Sequence, residues 1–188
     1  MIGKTNASGG GGGSTTNYMK AYLDNIGTGY LFYNDTTDEY LDNLIGYEDT
    51  SDVTSFQYMF YECSSLIRAP DFDTSNGYTF YGMFLGCINL KIVPAYNVGK
   101  ARTGTISKNR FNFMFEGCES LEEIHMYGMK YSFDISASTQ FTESALVEIL
   151  NNLGTVTTTQ TLTMGADNLA KLTEEEKAIA TNKGWTLA

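Results

Sequence analysis

Met59-Phe60-Tyr61-Glu62-Cys63-Ser64-Ser65-Leu66, Met83-Phe84-Leu85-Gly86-Cys87-Ile88-Asn89-Leu90 and Met114-Phe115-Glu116-Gly117-Cys118-Glu119-Ser120-Leu121 are three versions of one octapeptide. Their common form is M-F-x-G/E-C-x-S/N-L, and the copies start 24 and then 31 residues apart. An aromatic residue stands three positions before each Met-Phe pair, at Phe56, Phe80 and Phe111. Asp49-Thr50-Ser51-Asp52 and Asp73-Thr74-Ser75-Asn76 precede the first two copies at the same 24-residue interval. Self-similarity at a fixed period is the mark of a repeat architecture.

Within the first copy, Phe56, Met59, Phe60 and Cys63 fall at i, i+3, i+4 and i+7, which predicts about two helical turns with one apolar face. Apolar beats then follow at Leu66, Ala69 and Phe72, echoed at Leu90, Val93 and Tyr96 and at Leu121, Ile124 and Tyr127, which predicts a short strand. So short a helix cannot bury its face alone, whereas stacked copies bury it against their neighbours. The predicted fold class is α+β, a short solenoid over residues 48–139 with one helix and one short strand per repeat.

The flanks differ in character. Residues 1–17 hold Gly9, Gly10, Gly11, Gly12 and Gly13 between small polar residues, a composition that predicts a flexible arm or tether. Over 18–47, Tyr18, Met19, Tyr22, Leu23 and Ile26 lie at helical spacing and Tyr30 to Tyr33 read as a strand, an N-terminal cap. Residues 140–188 read as a C-terminal α/β cap. There Thr142 caps a helix carrying Leu146, Ile149, Leu150 and Leu153 and ended by Gly154, and Thr157 to Met164 is strand-like. Thr173 with Glu176 forms a capping box for a second helix, and Gly184 gives a left-handed stop that lets Trp185 pack back near Ala180.

Of the 188 residues, 22 are acidic and 12 basic, a formal charge of -10, and 42% are apolar. That is enough apolar surface for a core, with no run near the roughly 18 residues a membrane span needs. The acidic balance argues against nucleic acid as a partner, because phosphate binding needs a dense positive footprint. Residues 1–17 show no apolar signal-peptide core, so with Met1 as the natural start the chain is expected not to take the ordinary secretory route.

The candidate chemical groups are few. Three cysteines without a C-x-x-C pair predict neither a disulfide framework nor a zinc site, but a ladder of small buried side chains, one per repeat. His125, the only histidine, occupies the turn position that Pro70 and Pro94 fill in the other copies and is not expected to be catalytic. Glu122 and Glu123 are adjacent on a strand and point to opposite faces, so they cannot flank one bond. Asp71 to Gly77 has its glycine one position late for a calcium loop, and its Thr and Ser are expected to cap the next repeat's helix. Gly3-Lys4-Thr5 lacks the rest of a phosphate-binding loop. No catalytic residue, metal or cofactor is predicted.

One feature points to binding. The third copy is seven residues longer than the second, between Val98 and Phe111, and the insertion carries Lys100, Arg102, Lys108 and Arg110 with no acidic residue. Insertions in a solenoid project on one face, often the binding face. A basic loop on an acidic protein suits an acidic glycan, a teichoic-acid-like polymer or the acidic flank of a neighbouring subunit. Exposed tyrosines offer a second means, since aromatic rings stack on sugar faces and dominate protein interfaces.

The M-F-x-G-C-x-S-L core, preceded by D-T-S-D/N, resembles the BspA-like leucine-rich-repeat surface proteins across residues 48–135. The tail, with Leu169-Ala170-Lys171-Leu172-Thr173 and Ala180-Thr181-Asn182-Lys183-Gly184-Trp185, is similar to the ending of such proteins carried by bacteriophages and prophages. The resemblance implies a non-enzymatic binding or structural module displayed on a bacterial or viral surface. Without a visible export signal, the expectation is a virion-surface protein assembled in the host cytoplasm. Its residues 1–17 would meet other virion proteins and its repeats a host-surface glycan or protein, with a homo-oligomer, a trimer by analogy with fibres, as the expected assembly. The alternative is a bacterial cell-surface adhesin of the same repeat family.

Overall fold

The computed structural model describes residues 50–101 and 110–188. The expected arm at 1–17 and cap at 18–47 lie outside the described residues. In chain order the elements are β1 (Ile92–Val93), β2 (Glu123–Ile124), β3 (Phe133–Asp134), α1 (Glu143–Asn152), β4 (Gln160–Thr163), α2 (Ala166–Leu169), α3 (Glu174–Thr181) and β5 (Trp185–Leu187). Among the described residues no helix is long and apolar enough to cross a membrane.

The three octapeptide copies lie side by side. Phe56, Phe80 and Phe111 form one column of rings, 5.3 and 5.7 Å between centroids and each pair 6° from parallel. Phe60, Phe84 and Phe115 form a second column, at 5.4 and 5.9 Å and 7°. Met59, Met83 and Met114, Cys63, Cys87 and Cys118, and Leu66, Leu90 and Leu121 are buried at equivalent places. Offset-stacked rings add about 0.5–1.5 kcal/mol per pair beyond the area they bury.

The helix expected in each copy does not form. Residues 56–63, 80–87 and 111–118 run as successive four-residue turns. Met59 N–H donates to Phe56 O and Cys63 N–H to Phe60 O, and the other copies repeat the scheme. The third residue of each turn has positive φ: Tyr58 and Glu62, Gly82 and Gly86, Phe113 and Gly117, from 54° to 79°. Turns of four residues bury their first and fourth members, so they place apolar side chains at i, i+3, i+4 and i+7, as a helix does. The two structures differ in where the N–H groups go. In copy one, Phe56, Tyr58, Phe60 and Glu62 donate to Thr79, Tyr81, Met83 and Leu85 of copy two, at 2.7 to 3.0 Å. Phe80, Gly82, Phe84 and Gly86 donate in turn to Arg110, Asn112, Met114 and Glu116 of copy three.

Beyond each Leu the chain is extended. β1 and β2 pair in parallel, Ile92 opposite Glu123 and Val93 opposite Ile124, and a bridge joins Arg68 to Ile92. A further bridge sets Asn97 opposite Tyr127, so copy three is one residue short after Ile124. Met126 is consequently buried where the sequence pattern predicts Tyr127, which stands 44% exposed. The sequence predicts Thr74 and Ser75 as caps of the next copy's helix. Instead the Thr74 hydroxyl donates to Asn97 O and that of Thr50 to Asp73 O, each tying its own copy to the next at 3.0 Å.

The last part of the chain closes the stack with a parallel sheet in the order β3-β4-β5. Its first strand precedes residue 140, so the sheet draws on the chain just after the third copy. Thr142 caps α1 through Ala145 N–H, and Thr173 with Glu176 forms a reciprocal capping box on α3. Trp185 belongs to β5, where its indole meets Phe133 edge-on at 5.9 Å and donates to Gly154 O. Phe133 in turn lies 6.4 Å from Phe111, so one apolar core runs from the repeats into the sheet.

Candidate functional site

Of the basic insertion, the described residues are Lys100 and Arg110, while Arg102 and Lys108 lie outside them, as do Gly9 to Gly13. The exposed Lys100 ammonium donates to Asn76 Oδ1 at 2.6 Å, and Asn76 donates to Ser51 O, so the lysine extends a polar line across three copies. Asp73 is nearby, its carboxyl held below the usual range chiefly by Ser75 N–H, with Lys100 adding to the effect. The Arg110 guanidinium sits 5.7 Å over the ring of Tyr78. These two ends of the insertion thus both lie against the segment leading into copy two, beside polar Asn76 and aromatic Tyr78.

A second row of aromatic rings crosses the outside of the turns. Tyr61 meets Tyr58 edge-on at 5.6 Å, Tyr58 meets Tyr81 at 5.2 Å, and Tyr81 meets Phe113 at 5.4 Å. Tyr58 and Phe113 reach this row from left-handed backbone, a conformation that costs a non-glycine residue roughly 1–3 kcal/mol. The Phe113 ring ends the row with 48% of its surface exposed. It stands at the rim of a groove of about 420 Å³ between the turns of copy three and the strands β3 and β4. Phe113, Phe115 and Gly117 contribute to one wall and Ser132, Asp134 and Thr161 to the other. Sequence reading missed this groove because its walls come from separate segments and one of them is backbone; the nearest signal was the aromatic residue two positions after Phe111.

The remaining chemical groups are tied into the structure. Cys87 and Cys118 donate their thiol protons to Phe60 O and Phe84 O, and burial raises both above the ordinary thiol value. His125 bridges two carboxylates, Nδ1 to Glu148 at 2.7 Å and Nε2 to Glu123 at 2.9 Å. The Glu148 hydrogen bond, followed by that to Glu123, holds its imidazole above the usual value, and the ring ties β2 to α1. Glu122 turns the other way to Lys91, 2.7 Å distant. Among the described residues no three His, Cys, Asp or Glu side chains gather where they could hold a metal ion.

Neither a protein-family model, nor a curated protein, nor a solved structure matches this chain.

Proposed function

We propose that the chain is a non-enzymatic binding module, a short leucine-rich-repeat solenoid of the BspA-like kind, carried on the surface of a bacteriophage particle. The observation that carries the binding role is the register of the copies. Because each copy lies in register against the last, side chains of successive copies meet in rows. One row holds the rings of Tyr58, Tyr81 and Phe113, with Tyr81 standing one position before the place equivalent to the other two, and the polar line from the Ser51 carbonyl through Asn76 to Lys100 forms another. Such rows offer an extended partner a repeated contact, and the ligand is a host-surface glycan or protein. Residues 1–17 are, on this reading, the tether to other virion proteins, and the particle presents several copies of the chain. The phage assignment rests on the likeness of the tail from Leu169 to Trp185 to the ends of phage-borne repeat proteins.

Quantitative mass spectrometry of the tryptic peptide Phe111 to Lys130, in purified virus particles and in cell envelopes of the source culture, tests the proposal. Enrichment in particles at a fixed ratio to the major capsid protein is the expected result. Enrichment in envelopes instead would overturn the virion assignment and leave a bacterial adhesin.

A further inference from the structure

We infer that the groove between copy three and the strands β3 and β4 is a binding site for an uncharged oligosaccharide, an inference that rests on the binding-module reading above. Every ladder bond between the turns of successive copies runs the same way, from an N–H of one copy to a carbonyl of the next. The peptide dipoles of the bonded turn residues therefore add from copy to copy, as they do along a helix, and the turns of the last copy are left with the donors. Phe113, Phe115 and Gly117 stand where Tyr58, Phe60 and Glu62 stand in copy one and Gly82, Phe84 and Gly86 in copy two. Among the described residues their N–H groups have no protein acceptor, and the groove lies on the side to which the ladder points. Phe115 is 2% exposed, and a backbone donor at so buried a residue calls for an oxygen partner.

The rest of the groove says what kind of oxygen. Among the described residues its charged side chains, Glu116 and Asp134, are both acidic, so an anion is repelled in spite of the three donors. An extended peptide fits poorly as well. Its edge alternates N–H and C=O, which would set donors against donors on this wall, where the carbonyls of Asn112, Met114 and Glu116 are already taken by copy two. A sugar meets all the conditions. Its hydroxyl oxygens accept from the backbone row while their protons go to the Asp134 carboxylate and the Thr161 hydroxyl across the groove. The apolar face of its ring rests on the exposed ring of Phe113.

The test is a titration of the isotope-labelled full chain, followed by the amide NMR signals of Phe113, Phe115 and Gly117. The probes are maltohexaose, cellohexaose, chitohexaose and mannohexaose, with inorganic phosphate and a capped alternating Ala-Thr hexapeptide beside them. At least one hexasaccharide is expected to shift the three signals saturably. F113G should weaken that binding by roughly tenfold or more, because it removes the ring on which the sugar stacks. Glycine suits the left-handed backbone there and is the residue of copy two, at Gly82, so this variant keeps its fold, as the dispersion of its spectrum would show. Shifts of these amides by phosphate or by the hexapeptide, with no saccharide effect, would overturn the inference. Saccharide shifts confined to other residues would overturn the site while leaving the binding module. A null result with all four sugars would also overturn the site, and the particle measurement would still decide the virion assignment by itself.

Discussion

Cys87 donates its thiol proton to the carbonyl oxygen of Phe60, one copy away, across 2.9 Å of fully buried space. Cys118 repeats the contact on Phe84 at 3.1 Å. Taking a thiolate out of water is costly, so burial pushes Cys118 up to about 12 and Cys87 higher still. The expected outcome is that Ellman's reagent at about pH 8 labels none of the three cysteines in the native protein and all three in denaturant. Fast reaction of any thiol in the native state would contradict the buried column.

The left-handed turn positions give a pair of opposite predictions. Gly117 has φ +77°, and a Cβ there would lie 3.4 Å from the backbone of Gly86, so Gly117→Ala should lower stability by about 1–2 kcal/mol. Glu62 occupies the same position of copy one with φ 58°. Glu62→Gly removes that strain at the cost of a looser unfolded chain, so a net gain of up to about 1 kcal/mol is expected. Urea unfolding midpoints decide both, and equal signs for the two variants would refute the shared turn geometry.

These turns also show how far the sequence was legible. The repeat, its period and nearly all of its buried positions could be read, because apolar residues mark the inside of a turn as they mark one face of a helix. What could not be read was the kind of coil, since i, i+3, i+4 and i+7 belong to both. The glycines at positions 82, 86 and 117 carried the missing information, but Tyr58, Glu62 and Phe113 at the matching places concealed it. The basic insertion was found from charge alone. The groove was not, because backbone donors have no letter in the sequence and its far wall belongs to β3 and β4. The caps of α1 and α3 were legible because Thr142 and Thr173 act on their own next turn.

Leu90 and Leu121 test the stacking itself. Both are fully buried at equivalent places in successive copies. Truncation of either to Ala removes its transfer energy and leaves a space that neighbours on both sides, held by inter-copy hydrogen bonds, cannot easily fill. A loss of about 2–5 kcal/mol is expected for each variant in urea unfolding. Losses well under about 1 kcal/mol at both sites would be incompatible with close-packed columns.

His125 makes stability depend on pH in a predictable direction. Glu148 and Glu123 favour its charged form, so its folded value lies above the unfolded value of about 6.5. Below that pH, while the carboxylates remain ionised, the ring is protonated in both states and the two contacts contribute fully. As pH rises, the unfolded chain gives up its proton first, so folding must take one up, and stability declines until the native imidazole also deprotonates. Above the folded value the contribution is gone. His125→Gln should flatten this fall between about pH 6.5 and the native midpoint. Because the chain has a single histidine, one imidazole NMR signal reports that midpoint directly. A native value at or below 6.5 would mean that the two carboxylates do not hold the ring in solution.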